Sequence, residues 1–179
     1  TRAVNGQYAP GSTFKPVVGL AGISSSTTDW KETIDDKGWF KLPGQERVYR
    51  DWSWTKDDSG GQGEVNLNRA IYRSSNVYFY DLASRMEVNS LLGFARQFGF
   101  GRNLALDIPQ ASSGLLPTPE WKRKVKNQPW YPGDSVNLGI GQGDLLATPL
   151  QMAAVAATIA NRGKVVRPKM LMSGDPSID

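Results

Sequence analysis

The spacing of apolar residues divides the chain into a short helical start, a long polar stretch and a helical second half. Apolar residues after Pro10-Gly11 predict a first helix that begins close to Ser12, with Ser12 as a plausible N-cap. Residues 24–63 are polar and rich in Ser, Asp and Gly, which predicts loops with short strands around 39–42 and 47–49.

Cap residues and prolines predict where the later helices begin and end. The apolar spacing predicts helices over 66–73, 77–86 and 89–99, the first capped by Asn66. The pairs Thr118-Pro119 and Thr148-Pro149 each combine an N-cap with a first-turn proline, so each predicts a further helix. Helices therefore dominate the predicted structure.

Length and charge limit the kind of protein further. The 179 residues are enough for one domain with a sizeable core, and 39% of them are hydrophobic. The net charge of +4 is a mild basic excess, far from the strongly basic patterns of nucleic-acid binding, so we expect no nucleic-acid partner. The longest nearly apolar run, residues 152–160, is far shorter than the roughly 20 residues of a membrane span.

The chain contains no histidine and no cysteine. This excludes Ser-His-Asp and Cys-His catalysis, zinc sites built from these residues and disulfides. Any acyl transfer would need lysine or a carboxylate as its base. We expect no cofactor, because the glycine cluster 139–143 lacks the spacing of a dinucleotide loop and no Gly-Lys-Ser/Thr occurs; we interpret it as a tight turn that allows close backbone approach.

Ser12 and Lys15 are spaced so that one helical turn places both side chains on the same side. A lysine that loses part of its proton affinity to burial and to a helix N-terminus can act as base for a serine nucleophile. The alternative is that Ser12 is a plain helix cap. The same spacing recurs at Ser53 and Lys56, where no predicted helix sets the geometry, and we interpret that copy as chance.

Ser74-Ser75-Asn76 lies between two predicted helices. Its hydroxyl and amide groups could relay a proton and hold a substrate carbonyl, or the segment could be an ordinary helix cap. A similar triplet occurs at 135–137.

Two charged features have simpler interpretations. The basic run 121–126 is predicted to be a solvated helix face, with contact to an anionic polymer or lipid head groups as the alternative. The acidic pairs 35–36 and 57–58 are predicted to be solvated in loops.

Several segments, in order along the chain, resemble the class B penicillin-binding proteins. Residues 8–16 are similar to their first active-site motif, residues 74–80 to the second, and residues 139–152 to a further shared segment. Segments 38–44, 49–52 and 129–134 resemble, more narrowly, the elongation-type D,D-transpeptidases of Gram-negative bacteria. The resemblance covers essentially the whole chain.

This resemblance implies a role for each motif residue. Ser12 would be the acylated nucleophile, Lys15 its base, Ser74 the hydroxyl that relays a proton towards the leaving amine, and Asn76 a hydrogen-bonding partner of the substrate or inhibitor amide. It implies a mainly α-helical lobe with a few short strands, part of the α/β serine transpeptidase fold without much of its central sheet. Residues 1–179 would be one partial transpeptidase domain.

The resemblance also implies a reaction, partners and a location. The substrate would be a peptidoglycan stem peptide ending in D-Ala-D-Ala, and β-lactams would acylate the same serine. A membrane glycosyltransferase of the elongation machinery would be a partner, and the location would be the periplasmic face of the inner membrane, with the anchor outside this chain. Some relatives carry zinc on carboxylate, His and Cys ligands; without His or Cys that site cannot form in the same way, and we expect no metal.

One family motif is absent. The sequence contains no Lys-Ser/Thr-Gly, the third motif, whose strand supplies one of the two oxyanion-hole amides. We therefore expect residues 1–179 alone to be acylated slowly or not at all. Two other readings remain: a non-catalytic lobe, or a serine β-lactamase or penicillin sensor, against which segments 49–52 and 139–143 argue.

Overall fold

The computed structural model describes residues 2–57, 59–105 and 107–171. Within these ranges the chain forms eight α-helices, one 3₁₀ turn and four short strands, which confirms the mainly helical prediction. The helices are α1 (Arg2–Asn5), α2 (Lys15–Ser24), α3 (Leu67–Tyr72), α4 (Asn76–Arg85), α5 (Val88–Gln97), α6 (Pro119–Lys126), α7 (Pro132–Gly139) and α8 (Pro149–Ala160). The strands are β1 (Thr33–Asp36), β2 (Trp39–Lys41), β3 (Val48–Arg50) and β4 (Gly63–Asn66).

Side-chain caps begin three of the predicted helices where the sequence placed them. Asn66 Oδ1 accepts from the backbone N–H of Arg69 at 2.9 Å, and Thr118 Oγ1 caps α6 in the same way. Thr148 and Gln151 form a reciprocal capping box at the start of α8. The helix predicted from residue 89 begins at Val88 instead, with Glu87 as its cap.

The prediction that Ser12 caps the first helix is wrong. Residues Gly11–Phe14 form a single 3₁₀ turn, and α2 begins only at Lys15, whose backbone N–H donates to the carbonyl of Ser12. A capping side chain needs an extended backbone just outside the helix. Ser12 already lies inside the turn, so its hydroxyl caps no backbone N–H, and the residue is exposed.

The strands form two separate two-stranded antiparallel sheets in the described part of the chain. β2 and β3 are the predicted strands, and they pair with Phe40 opposite Tyr49. β1 and β4 were not predicted; they pair with Asp36 opposite Gly63. Burial alternates along β1, and Asp36 is its one buried residue.

The core lies between α2 and α4, with α5 and α7 packed around them. Phe14 meets Phe100 edge to face, with ring centroids 5.0 Å apart. Gly139 lets α7 approach α4 closely, since a Cβ there would lie 2.6 Å from the carbonyl oxygen of Phe79. This packing brings the start of α2 next to the start of α4.

Among the helices of the described ranges, none is both long enough and apolar enough to cross a membrane.

Candidate active site

Lys15 contacts two of the other three predicted site residues, Ser74 and Asn76. Its side chain is almost fully buried, and Nζ donates to the Asn76 Oδ1 at 2.7 Å, to the Ser74 carbonyl at 2.8 Å and to the Ser74 Oγ at 3.1 Å. The ring of Phe79 lies beneath the amine, 5.6 Å from its centroid. Three acceptors match the three protons of an ammonium group, so this arrangement fits the charged form of Lys15.

Ser12 sits one 3₁₀ turn before Lys15 and is exposed. Side chains three residues apart in such a turn are eclipsed, which places the hydroxyl on the same side as the lysine. In the described part of the chain, however, no hydrogen bond joins the Ser12 hydroxyl to the Lys15 amine; the two residues share only the backbone bond of the turn. The structure therefore brings the side chains of Lys15, Ser74 and Asn76 into direct contact and leaves the Ser12 hydroxyl beside them without a bond to the amine.

The environment of Lys15 favours loss of its proton. Burial lowers its pKa from 10.5 to about 8, while the nearby carboxylates Asp51 and Asp36 act in the opposite direction. A lysine with a pKa near 8 is partly neutral at mildly alkaline pH. In the neutral form one donor is replaced by a lone pair, which could accept a proton from a neighbouring hydroxyl.

In the Ser74-Ser75-Asn76 segment, Ser75 caps a helix, whereas Ser74 and Asn76 contact Lys15. Ser75 is the helix cap, because its Oγ accepts from the Tyr78 backbone N–H at 3.1 Å. Ser74 adopts a left-handed conformation, with φ of 54°, which costs a residue other than glycine about 1 kcal/mol. This conformation turns the chain from α3 into α4 and directs both oxygens of Ser74 to Lys15. The prediction of an ordinary helix cap is thus confirmed for Ser75, and the side chains of Ser74 and Asn76 contact Lys15 instead.

Two buried carboxylates support this segment, and the sequence analysis missed both as parts of the site. Asp36 accepts from the Ser75 Oγ at 2.6 Å and from the Gly38 backbone N–H at 2.8 Å. Asp51 accepts from the Asn76 backbone N–H at 3.0 Å. The prediction that residue 36 is solvated is wrong, because pairing of β1 with β4 carries it inward; burial raises the pKa of Asp36.

The second Ser-x-x-Lys copy does not form a site of its own. Ser53 Oγ donates to Asp51 Oδ2 at 2.7 Å, and Lys56 is exposed. Asp57 is exposed, as predicted, and bonds Ser59; Asp58 lies outside the described residues. The triplet at 135–137 lies within α7, where Ser135 accepts from the indole of Trp130.

The glycine cluster holds the turn that carries Ser12. The backbone N–H of Gly11 donates to the carbonyl of Gly141 at 2.8 Å. Gly141 has a φ of 69°, and a Cβ there would lie 2.1 Å from the carbonyl oxygen of Gly11. The cluster is therefore a tight turn with close backbone contact, as predicted.

The basic run on α6 is only partly solvated. Lys122 is buried, pairs with Asp134 and lies 4.6 Å from the ring centroid of Tyr131, so the solvated-face prediction is wrong for this residue. Lys126 pairs with Asp144, just after the glycine cluster, at 2.6 Å. Residues 123–125 are exposed, as predicted. The run thus fastens α6 to α7 and to the glycine turn.

Metal ligands do not cluster in the part of the chain that the structure describes: no three His, Cys, Asp or Glu side chains come together there.

Known proteins share this arrangement of helices. The chain is 43% identical to the peptidoglycan D,D-transpeptidase MrdA of Acinetobacter baumannii, over 95% of this chain and 25% of that protein. The crystal structure of Pseudomonas aeruginosa PBP2 in complex with WCK 5153 is similar with a TM-score of 0.88 and 42% identity, covering 98% of this chain and 40% of that one. A complex between PBP2 and MreC from Helicobacter pylori gives a TM-score of 0.88 and 34% identity, covering 97% and 31%.

The chain spans about a quarter of the length of the curated relatives that it matches. The family model described as the penicillin binding protein transpeptidase domain matches residues 1–176. The chain therefore belongs to the penicillin-binding protein transpeptidase family.

Proposed function

We propose that this chain carries the acylation machinery of a peptidoglycan D,D-transpeptidase. The observation that supports it most directly is the buried amine of Lys15, with a pKa of about 8, bonded to Ser74 and Asn76 and one turn from the exposed Ser12. Nucleophile, base, proton relay and substrate amide holder are all present without histidine. The relatives named as peptidoglycan D,D-transpeptidases support the same reaction.

The geometry suggests an order of events. Neutral Lys15 accepts the proton of Ser12, and Oγ attacks the carbonyl carbon of the D-Ala-D-Ala bond. The Ser12 backbone N–H contributes to stabilising the oxyanion. The tetrahedral intermediate collapses as Ser74 donates a proton to the leaving D-Ala amine, and Ser74 regains its proton from Lys15. Asn76 holds the substrate amide meanwhile.

The second half of the reaction releases the enzyme. An amine of a neighbouring stem peptide attacks the carbonyl carbon of the Ser12 ester and gives up a proton to Lys15. The amide cross-link forms, the bond from that carbon to the Ser12 oxygen breaks, and Lys15 returns the proton to Ser12. A β-lactam mimics the dipeptide and acylates the same oxygen. We propose that the protein acts at the periplasmic face of the inner membrane with a membrane glycosyltransferase as partner; a relative that forms a complex with MreC supports membership of a multiprotein assembly.

The test is covalent labelling of the full-length protein by benzylpenicillin, followed by intact mass and peptide mapping. We expect one adduct, with the whole penicillin mass added, on the peptide that contains Ser12. Ser12→Ala should lose the adduct. Ser53→Ala controls for the site of attachment, because it removes the serine of the other Ser-x-x-Lys copy; it should still give the adduct on the Ser12 peptide, more slowly because Asp51 loses one of its hydrogen bonds. Residues 1–179 alone should label more slowly, since they lack the third motif.

Different results would favour the other readings. Rapid release of hydrolysed penicillin would indicate a β-lactamase, whereas a stable adduct indicates a synthase or a sensor. A folded full-length protein that takes up no label would refute the proposal and favour a non-catalytic lobe.

A further inference from the structure

Asp51 is a buried carboxylate directly behind the Ser74–Asn76 turn, and both of its oxygens are occupied. Oδ1 accepts from the Asn76 backbone N–H at 3.0 Å. Oδ2 accepts from the Ser53 Oγ at 2.7 Å and from the Gln62 Nε2 at 3.2 Å. A carboxylate that is only 6% exposed and held from three sides has a fixed position.

The bond to Asn76 connects Asp51 to the site itself. Asn76 is the first residue of α4, so its backbone N–H has no partner within the helix. Ser75 caps a different N–H, that of Tyr78, and leaves this one for Asp51. The side chain of the same Asn76 accepts from Lys15 at 2.7 Å. A shift of the Asn76 backbone would therefore move a group that contacts the lysine directly.

We propose that Asp51 is a positioning residue for acylation, fixing through the Asn76 backbone N–H where the Ser74 hydroxyl and the Asn76 amide meet Lys15. This inference rests on the proposed function. Asp51 itself makes no hydrogen bond to Ser12 or to Lys15 among the described residues, so it would act through Asn76.

A comparison with Asp36 separates position from charge. Both carboxylates raise the pKa of Lys15, against the larger effect of burial. Asp36, from β1, bonds Ser75 and Gly38 and makes no bond to Asn76 in the described chain. Tyr80, from α4, also lies near Asp51, but burial raises its pKa to about 12, so it remains neutral over the range of interest. The two acids thus share the electrostatic effect, whereas the contact with Asn76 belongs to Asp51.

The substitution Asp51→Asn tests charge alone. Its amide oxygen can still accept from Asn76, and its NH₂ group can donate to Ser53 or to Gln62, whose Oε1 is buried without a partner among the described residues. Asp51→Ala removes both the charge and the bond. Asp35→Asn is the matched control, because Asp35 neighbours Asp36 on the same strand but is exposed and pairs only loosely with Lys37, at 3.8 Å.

The experiment measures the second-order rate of penicillin acylation against pH in the full-length protein, with thermal melting of each variant. Asp51→Ala should lower the maximal rate about 10²-fold, the scale of a misplaced catalytic group. Asp51→Asn and Asp36→Asn should retain most of the maximal rate and shift the inflection to lower pH, because each removes a negative charge that raises the pKa of Lys15. Asp35→Asn should match the unaltered protein.

The outcomes separate the inference from the proposed function. If the unaltered protein takes up no label on Ser12, the proposed function fails. If it does, a folded Asp51→Ala that acylates at the unaltered rate overturns the inference, and so does an equal loss of maximal rate in Asp36→Asn. Should Asp51→Ala not fold, Asp51→Ser replaces it, since it keeps a polar group one bond shorter than the carboxylate; the same 10²-fold loss is expected.

Discussion

Replacing Gly141 by alanine should displace the nucleophile without touching any residue of the site. The added Cβ would lie 2.1 Å from the carbonyl oxygen of Gly11 and 2.8 Å from the Cβ of Phe14. Carbon and oxygen atoms normally stay about 3.3 Å apart. The Gly11 peptide must therefore move by about 1 Å, and Ser12 is the next residue.

Two effects contribute to the cost of Gly141→Ala. The left-handed backbone, with φ of 69°, costs alanine about 1 kcal/mol. Overpacking against Gly11 and Phe14 adds about 2 kcal/mol. For a protein domain of this size, the sum of about 3 kcal/mol corresponds to a fall in Tm of about 6–12 °C. The displacement of Ser12 by about 1 Å should also lower the acylation rate about 10²-fold.

Gly143→Ala provides the matched control. Gly143 has a similarly positive φ of 80°, but a Cβ there would meet only the Asn137 Cβ, at an ordinary 3.5 Å. It should lose about 1 kcal/mol and acylate normally. The assay is the rate of penicillin labelling, with the melting temperature measured alongside. Equal labelling rates for Gly141→Ala and Gly143→Ala would refute the link between backbone contact and nucleophile position.

Two further predictions concern buried polar groups. Lys15 has a pKa of about 8 in the folded chain and 10.5 when unfolded, so the native state binds fewer protons than the unfolded state between these pH values. The free energy of unfolding should therefore rise with pH from 8 to 10.5. Lys15→Met should remove that rise in melts measured at several pH values. Gln151→Leu removes the acceptor of the Thr148 backbone N–H and the amide group that donates to three backbone carbonyls. It should lower the free energy of unfolding by about 3 kcal/mol in urea titrations. The same substitution at exposed Gln142 should cost less than about 0.5 kcal/mol.

The helix starts could be predicted because both partners of a cap lie within a few residues. Asn66 and Thr148 each bond a backbone N–H three positions later, so the sequence contains the whole interaction. Ser12 looked similar, but the 3₁₀ turn before α2 depends on the contact of Gly11 with Gly141, which no local pattern reveals. The motif spacing still placed Ser12 and Lys15 on one turn.

The missed features depend on distant partners. The sequence of β1 is Thr-Ile-Asp-Asp, which has a low strand propensity. The strand forms because β4, at the far end of the polar stretch, pairs with it. Asp36 is buried because Ser75 meets it from the start of α4. α7 contains two glycines among its eight residues, Gly133 and Gly139, and is stabilised by packing on α4 through Gly139. Tertiary contacts override local preference in β1 and at Asp36.

The contact between Gly11 and Gly141 has a consequence for the order of folding. It joins two turns that lie 130 positions apart in the sequence, and Lys15 reaches Ser74 across 59 positions. Such distant contacts carry the largest loop-closure entropy and reduce folding rates. The helices can form early from local signals, but the nucleophile turn is complete only after both halves of the chain have come together. Reactivity of Ser12 would therefore be a late marker of folding, appearing after helical structure is already present.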